Sequence, residues 1–255
     1  MIMDLEDFVL NLFEKYGSEA DELFTTKISS LATRMISEAK WVGVTKIEGY
    51  TLYMMVRYFK PEIVMEGGSG HGYSAQWILH ALQRNGKGRF YGFEIQPSIY
   101  YAREISKEFG DIATFIEGDC TPSLSCAYGM VVGKRYEDLQ EYEKNTMEKT
   151  LKKVGHVDFL FMDGYHNYEF GKWWTTKITP YLSKGGLIGC HDIQNLGKPN
   201  PNGDEWVAVK EFADANPQFK VLQMSQLASS PKLAKINQEY PGLNLHGIVF
   251  LSERF

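Results

Sequence analysis

The chain has 255 residues, long enough for one large or two small domains with a sizeable core. Its 44% hydrophobic and 23% charged fractions are ordinary for a soluble globular protein, and a net charge of −5 argues against a nucleic-acid partner, which usually needs a basic face. The three cysteines (Cys120, Cys126, Cys190) lack a C-x-x-C spacing and read as buried thiols in a reducing compartment, not as a disulfide framework.

Two helical patterns open the chain, at about residues 3–15 and 18–40, the second carrying Leu23, Ile28, Leu31, Met35 and Ile36 at helical spacing. The start, MIMDLEDFVLNLF, is acidic and amphipathic, unlike a signal peptide, and no apolar stretch is long enough to cross a bilayer. These features predict a cytoplasmic protein with no membrane partner. A third helix, Gly49 to Tyr58, leads into an apolar run, Ile63–Met65, that ends on Glu66. A glycine-dense turn and another helical stretch follow. Further apolar runs stand at Phe90–Phe93, Thr114–Ile116, Val157–Met162, Gly186–Gly189, Phe219–Gln223 and Gly247–Leu251, with helical stretches such as Ser98–Phe109, Tyr168–Leu182 and Trp206–Ala215 between most of them. Alternation of this kind predicts an α/β fold with a mostly parallel seven-stranded sheet covered on both faces. The last two runs lack a convincing helix between them, so an antiparallel strand is expected at one edge.

Residues 1–48 read as an N-terminal helical extension and 49–255 as one domain, with an insertion at about 121–155. A second insertion, Gln194 to Glu205, is rich in turn residues. Both are either surface elaboration or covers over a ligand at the carboxyl edge of the sheet.

Strand, tight turn and helix over Pro61–Leu82 let a ligand lie against bare backbone at a helix N-terminus. The spacing Glu66-x-Gly68-x-Gly70-x-Gly72 separates candidate ligands. A dinucleotide frame counted from Gly68 would put its third glycine at Tyr73; counted from Gly70 it ends on Ala75, a tolerated variant. No Walker lysine follows, which excludes a P-loop. Acids then follow most strands: Glu66, Glu94, Asp119, Asp163 and Asp192. One acid after a strand is ordinary capping, but five in succession make a negatively charged rim, suited to a cationic ligand or a metal ion.

The combination E-x-G-x-G-x-G, an acid ending the second strand, and G-D after the third resembles the class I methyltransferases that use S-adenosylmethionine, over about residues 45–255. The resemblance implies a Rossmann-like three-layer αβα sandwich. It also implies that Gly68, Gly70 and Gly72 pack against the methionine part of the cofactor and that Ser74 binds its carboxylate. Glu94 would accept from both ribose hydroxyls, Asp119 would take the adenine amine, and Glu66 would orient the turn or sense the amino group. Helix capping for Glu94 and an Asx-turn for Asp119 are the structural alternatives.

The pattern Asp163-Gly164-Tyr165-His166-Asn167-Tyr168-Glu169, followed by His191-Asp192, is similar to a subgroup of metal-dependent O-methyltransferases that includes the macrolide-sugar and cephalosporin-hydroxylase-like enzymes. Adjacent strands lie roughly 4.8 Å apart, so Asp163 and Asp192 are expected as neighbours that need a cation between them. The resemblance implies a divalent ion (magnesium or manganese) on Asp163 and Asp192, with His166 as general base in a site that Asp163 shares. His191 stands where the macrolide-sugar enzymes have a carboxylate, and imidazole is a poor magnesium ligand, so its part as third ligand is open. The expected acceptor is a hydroxyl of a sugar or other small molecule. The N-terminal helices offer a surface for a homo-oligomer. Rival readings are metal-independent methyl transfer, aminopropyl transfer, and a non-catalytic binder of S-adenosylmethionine. Trp173 and Trp174 read as core.

Overall fold

The N-terminal helical pattern does not break at Gly17. In a computed structural model, which describes residues 4–38, 43–95, 98–121, 140–192 and 205–255, α1 (Leu5–Leu23) continues through a π-helical turn (Phe24–Ile28) into α2 (Ser29–Ser37). Phe8, Val9, Leu12, Phe13 and Ala20 form the buried stripe of α1. α3 (Lys46–Phe59) starts at a reciprocal cap: the Thr45 hydroxyl accepts from the Glu48 N–H, and the Glu48 carboxylate accepts from the Thr45 N–H at 2.6 Å. The domain boundary expected at residue 48 therefore falls inside one helix, whose cap fixes its start two residues earlier.

The sheet contains β1 (Ile63–Gly67), β2 (Arg89–Glu94), β3 (Ala113–Glu117), β4 (Val157–Met162), β5 (Leu182–Cys190), β6 (Lys220–Gln223) and β7 (Val249–Ser252), in the order β3-β2-β1-β4-β5-β7-β6. β1 to β5 pair in parallel, while β7 runs antiparallel to both β5 and β6. The reversed strand thus lies one place in from the edge, and β6 closes the sheet. Adjacent residues of a strand face opposite layers. Val64, Phe90, Phe159 and Phe161 pack with Leu52, Trp77 and Ile78, whereas Met65, Phe93, Leu160 and Met162 pack with Leu151, Phe170 and Trp174. The two faces are covered by α3 and α4 (Tyr73–Asn85) on one side and by α6 (Thr146–Val154) and α7 (Tyr168–Trp173) on the other.

Between β2 and β3 the expected helix ends early: α5 (Ser98–Ile105) gives way to 3-10 turns over Lys107–Ile112, where Gly110 takes a positive φ. After α7 a π turn (Trp174–Ile178) and a 3-10 turn lead straight into β5, and α8 (Glu205–Ala215) follows. Trp173 and Trp174 are buried, as the sequence suggests. Strand order reverses between β1 and β4, where open α/β sheets bind ligands at their carboxyl ends. Cys120 and Cys190 are buried free thiols; Cys126 lies outside the described residues, as do most of both insertions. Among the described residues no helix is long and apolar enough to cross a membrane.

Candidate active site

The glycine turn is held shut from both sides. Gly68 and Ser69 donate their N–H groups to the Phe93 carbonyl at 2.9 and 3.1 Å, which ties the turn to β2. Gly68 has φ +88, and a Cβ there would lie 1.9 Å from the Asp163 carbonyl oxygen, so only glycine lets the ends of β1 and β4 meet. Gly70, at φ +50, has nothing among the described residues within 4 Å of where a Cβ would stand. Gly72 instead packs its α-carbon on Ala102 of α5. Glu94 accepts from the Gly70 N–H at 2.7 Å and from its own neighbour, Ile95 N–H, at 2.8 Å.

Glu66 is fully buried, and burial pushes its carboxyl up to about 8. Its Oε1 accepts from the Ser74 hydroxyl at 2.5 Å. This short contact makes Ser74 the residue that orients Glu66. Asp119 is buried, which raises its carboxyl. Its Oδ1 accepts from the N–H and hydroxyl of Thr121 in an Asx turn at 2.8 and 2.7 Å, while Oδ2 has no partner among the described residues.

Across the cavity, register decides who meets Asp163. Met162 pairs with Cys190, and His191 N–H donates to the Met162 carbonyl at 2.9 Å, so His191 stands beside Asp163. Asp192 is one residue further out, at φ +52 and half exposed. The His191 ring is buried between carboxylates: Nδ1 is 3.0 Å from Asp163 Oδ1, and Nε2 is 3.4 Å from Glu48 Oε2 and 3.6 Å from Asp192 Oδ1. Burial opposes a charge on His191, but the Asp163 and Glu48 carboxylates override it and push the imidazole up to about 11. Against the same burial, the His191 hydrogen bond and charge bring Glu48 down to about 2 and, with help from His166, hold Asp163 far below the usual carboxylate range. At neutral pH an imidazolium therefore offsets part of the negative charge of this cluster.

The three residues expected to hold a metal ion, Asp163, Asp192 and His191, thus come together around the His191 ring. Both nitrogens of His191 face carboxylates, and Asp163 Oδ1 serves two imidazoles. Among the described residues no group of three or more His, Cys, Asp or Glu is arranged to hold a metal ion.

His166 lies on the loop after β4 at φ +51. Its Nε2 is 3.5 Å from Asp163 Oδ1 and its Nδ1 is 3.2 Å from Glu205 Oε2. Burial works against its charge, yet hydrogen bonds to Asp163 and Glu205 push it up to about 10. Asn167 caps α7 by accepting from the Phe170 N–H at 2.8 Å, which fixes where the loop ends.

Gly68, Gly70, Ser74, Glu94, Asp163, His166 and Asp192 line one cavity of about 420 Å³. Glu66, Gly72, Asp119 and His191 are not among the residues that line it. Sequence reasoning missed Glu48 and Glu205. The T-x-x-E cap of α3 is a legible signal for Glu48, but only as a cap; Glu205 has no signal, since nothing local distinguishes it.

Residues 65–193 match a family model described as a methyltransferase domain. The solved structures that this fold resembles include an O-methyltransferase from Bacillus cereus in complex with SAH, at TM-score 0.58 and 13% identity, covering 94% of this chain and 98% of that one. An O-methyltransferase from Streptomyces achromogenes involved in tomaymycin synthesis, in complex with SAM, gives 0.55 at 15% identity over 93% and 96% of the two chains. An SAH-bound methyltransferase from Podospora anserina gives 0.52 at 16% identity, covering 94% of each. At such identities the likeness is one of fold.

Proposed function

The chain belongs to the methyltransferase-domain family, and from that premise we propose that it transfers a methyl group from S-adenosylmethionine to a hydroxyl of a sugar or other small molecule. One observation carries the reading: a single cavity joins the glycine turn and Glu94 to the Asp163–His166 pair. The residues suit the cofactor. Gly70 and Glu94 both line the cavity, and a carboxylate in that wall is able to accept from ribose hydroxyls. Asp119 retains one buried oxygen able to accept from an amine.

When bound, S-adenosylmethionine supplies an electrophilic methyl group on a sulfonium sulfur. His166 Nε2 would take the proton that the acceptor hydroxyl gives up on methylation, with S-adenosylhomocysteine as the co-product. Asp163 and Glu205 stabilise the resulting imidazolium. A ring held at about 10 is protonated at neutral pH, so His166 must first lose that proton; a second positive charge in the same cavity favours the loss.

Calorimetry with S-adenosylmethionine, followed by a radiolabelled methyl assay on a panel of small hydroxylated compounds, tests this. Wild type should bind, and Glu94→Ala should bind at least about tenfold more weakly, since hydrogen bonds to a charged group contribute roughly 1.5–3 kcal/mol each. Negligible uptake by both proteins would overturn the reading; binding without any methylated product would reduce it to a cofactor-binding protein.

A further inference from the structure

Glu205 is the first residue of α8, thirty-nine positions from the loop it contacts, and its side chain is buried. Both of its oxygens are engaged. Oε1 accepts from the Trp174 indole N–H at 2.8 Å, and Oε2 faces His166 Nδ1 at 3.2 Å. The close approach depends on Gly171 of α7, where a Cβ would meet Ala208 at 2.9 Å and the Glu205 side chain and carbonyl at 3.1 Å. A larger residue there would push α8 outward and withdraw the carboxylate from the imidazole.

Burying a carboxylate is costly, and stability alone is a weak reason to keep one. This one meets the face of His166 that points away from the ring's Nε2. We propose that Glu205 is a positioning residue: it accepts a hydrogen bond from His166 Nδ1–H, fixes the ring, and so leaves Nε2 as the atom that exchanges a proton in the cavity. The proposal rests on the reading of His166 as proton acceptor. It assigns Trp174 as the clamp that stops the Glu205 carboxylate from rotating away. A carboxylate on Nδ1 sets which nitrogen is the base, whereas an amide in its place can donate to Nδ1 and move the ring proton to Nε2.

The test is imidazole NMR on histidine-¹⁵N-labelled protein, with His166 assigned by the loss of its signals in His166→Gln. Wild type should show a slowly exchanging, downfield Nδ1–H proton, and Glu205→Gln should lose it while circular dichroism stays unchanged. Trp174→Phe, which removes the clamp but keeps the carboxylate, should retain the signal with faster exchange. For any acceptor that wild type methylates, Glu205→Gln should lower kcat at least about 100-fold, with the KM for S-adenosylmethionine within about twofold. An Nδ1–H signal unchanged in Glu205→Gln, or missing from wild type, overturns the proposal, and the wild-type result decides if Glu205→Gln does not fold. Failure of wild type to bind S-adenosylmethionine would sink the proposed methyl transfer and leave the Nδ1 result standing.

Discussion

Replacing His191 by glutamine should destabilise the protein in a pH-dependent way. The substitution removes a buried cation from between Asp163 and Glu48 and puts a neutral amide in its place. The rise of His191 from 6.5 to about 11 corresponds to about 6 kcal/mol, and the fall of Glu48 from 4.5 to about 2 to about 3 kcal/mol, at about 1.4 kcal/mol per unit. These describe overlapping parts of one interaction, Glu48 seeing one of the two contacts, so they are not added. Removing one partner of a buried pair typically costs about 3–5 kcal/mol, and the amide keeps some hydrogen bonding, so about 3–4 kcal/mol is expected near pH 6. The sign follows from the raised folded value: the stabilisation is complete below 6.5 and is lost as pH climbs toward 11. The gap between wild type and His191→Gln should thus narrow by up to about 1.4 kcal/mol per pH unit above neutrality. Urea unfolding of both proteins at intervals from pH 6 to 10.5 measures it, with m-values checked for equality. A gap below about 1 kcal/mol at pH 6, or one that does not shrink with rising pH, would refute the view of His191 as a fixed internal cation.

Gly68 and Gly70, both in the cavity wall, should respond differently to alanine. Gly70→Ala faces open space at φ +50 and should cost only about 1–2 kcal/mol in chemical denaturation, while S-adenosylmethionine binding falls at least about tenfold in calorimetry. Gly68→Ala would drive a methyl group into the Asp163 backbone and should give insoluble or unfolded protein, seen by circular dichroism. Manganese titration followed by electron paramagnetic resonance should find no tight stoichiometric site in wild type, because the His191 nitrogens already face carboxylates. One manganese bound at micromolar affinity, and lost in Asp163→Asn, would contradict that geometry.

Much of the architecture was legible from local pattern. Apolar runs bounded by turns located every strand of the sheet, because burial on both faces demands near-continuous hydrophobic sequence in β1 and β4. The glycine spacing and the acids after the strands marked the carboxyl edge, since both are consequences of chain-local geometry. Helix breaks were less legible: Gly17 sits inside α1 because Tyr240, far along the chain, fills the space beside it. Likewise the start of α3 follows its cap, while the boundary drawn at residue 48 followed only the change of pattern.

The chemistry of the acids was the tertiary structure's to decide. Sequence order put Asp163 and Asp192 in line for a shared ion; the register of β4 on β5 put His191 beside Asp163 instead. Glu48 arrives from a helix before the first strand and Glu205 from one after the fifth, so neither is near the site along the chain. Periodicity and turn chemistry are short-range properties and are written in neighbouring residues. Charge compensation and the choice of a base depend on distances of a few ångströms between groups 28, 39 and 143 positions apart, and only packing sets those.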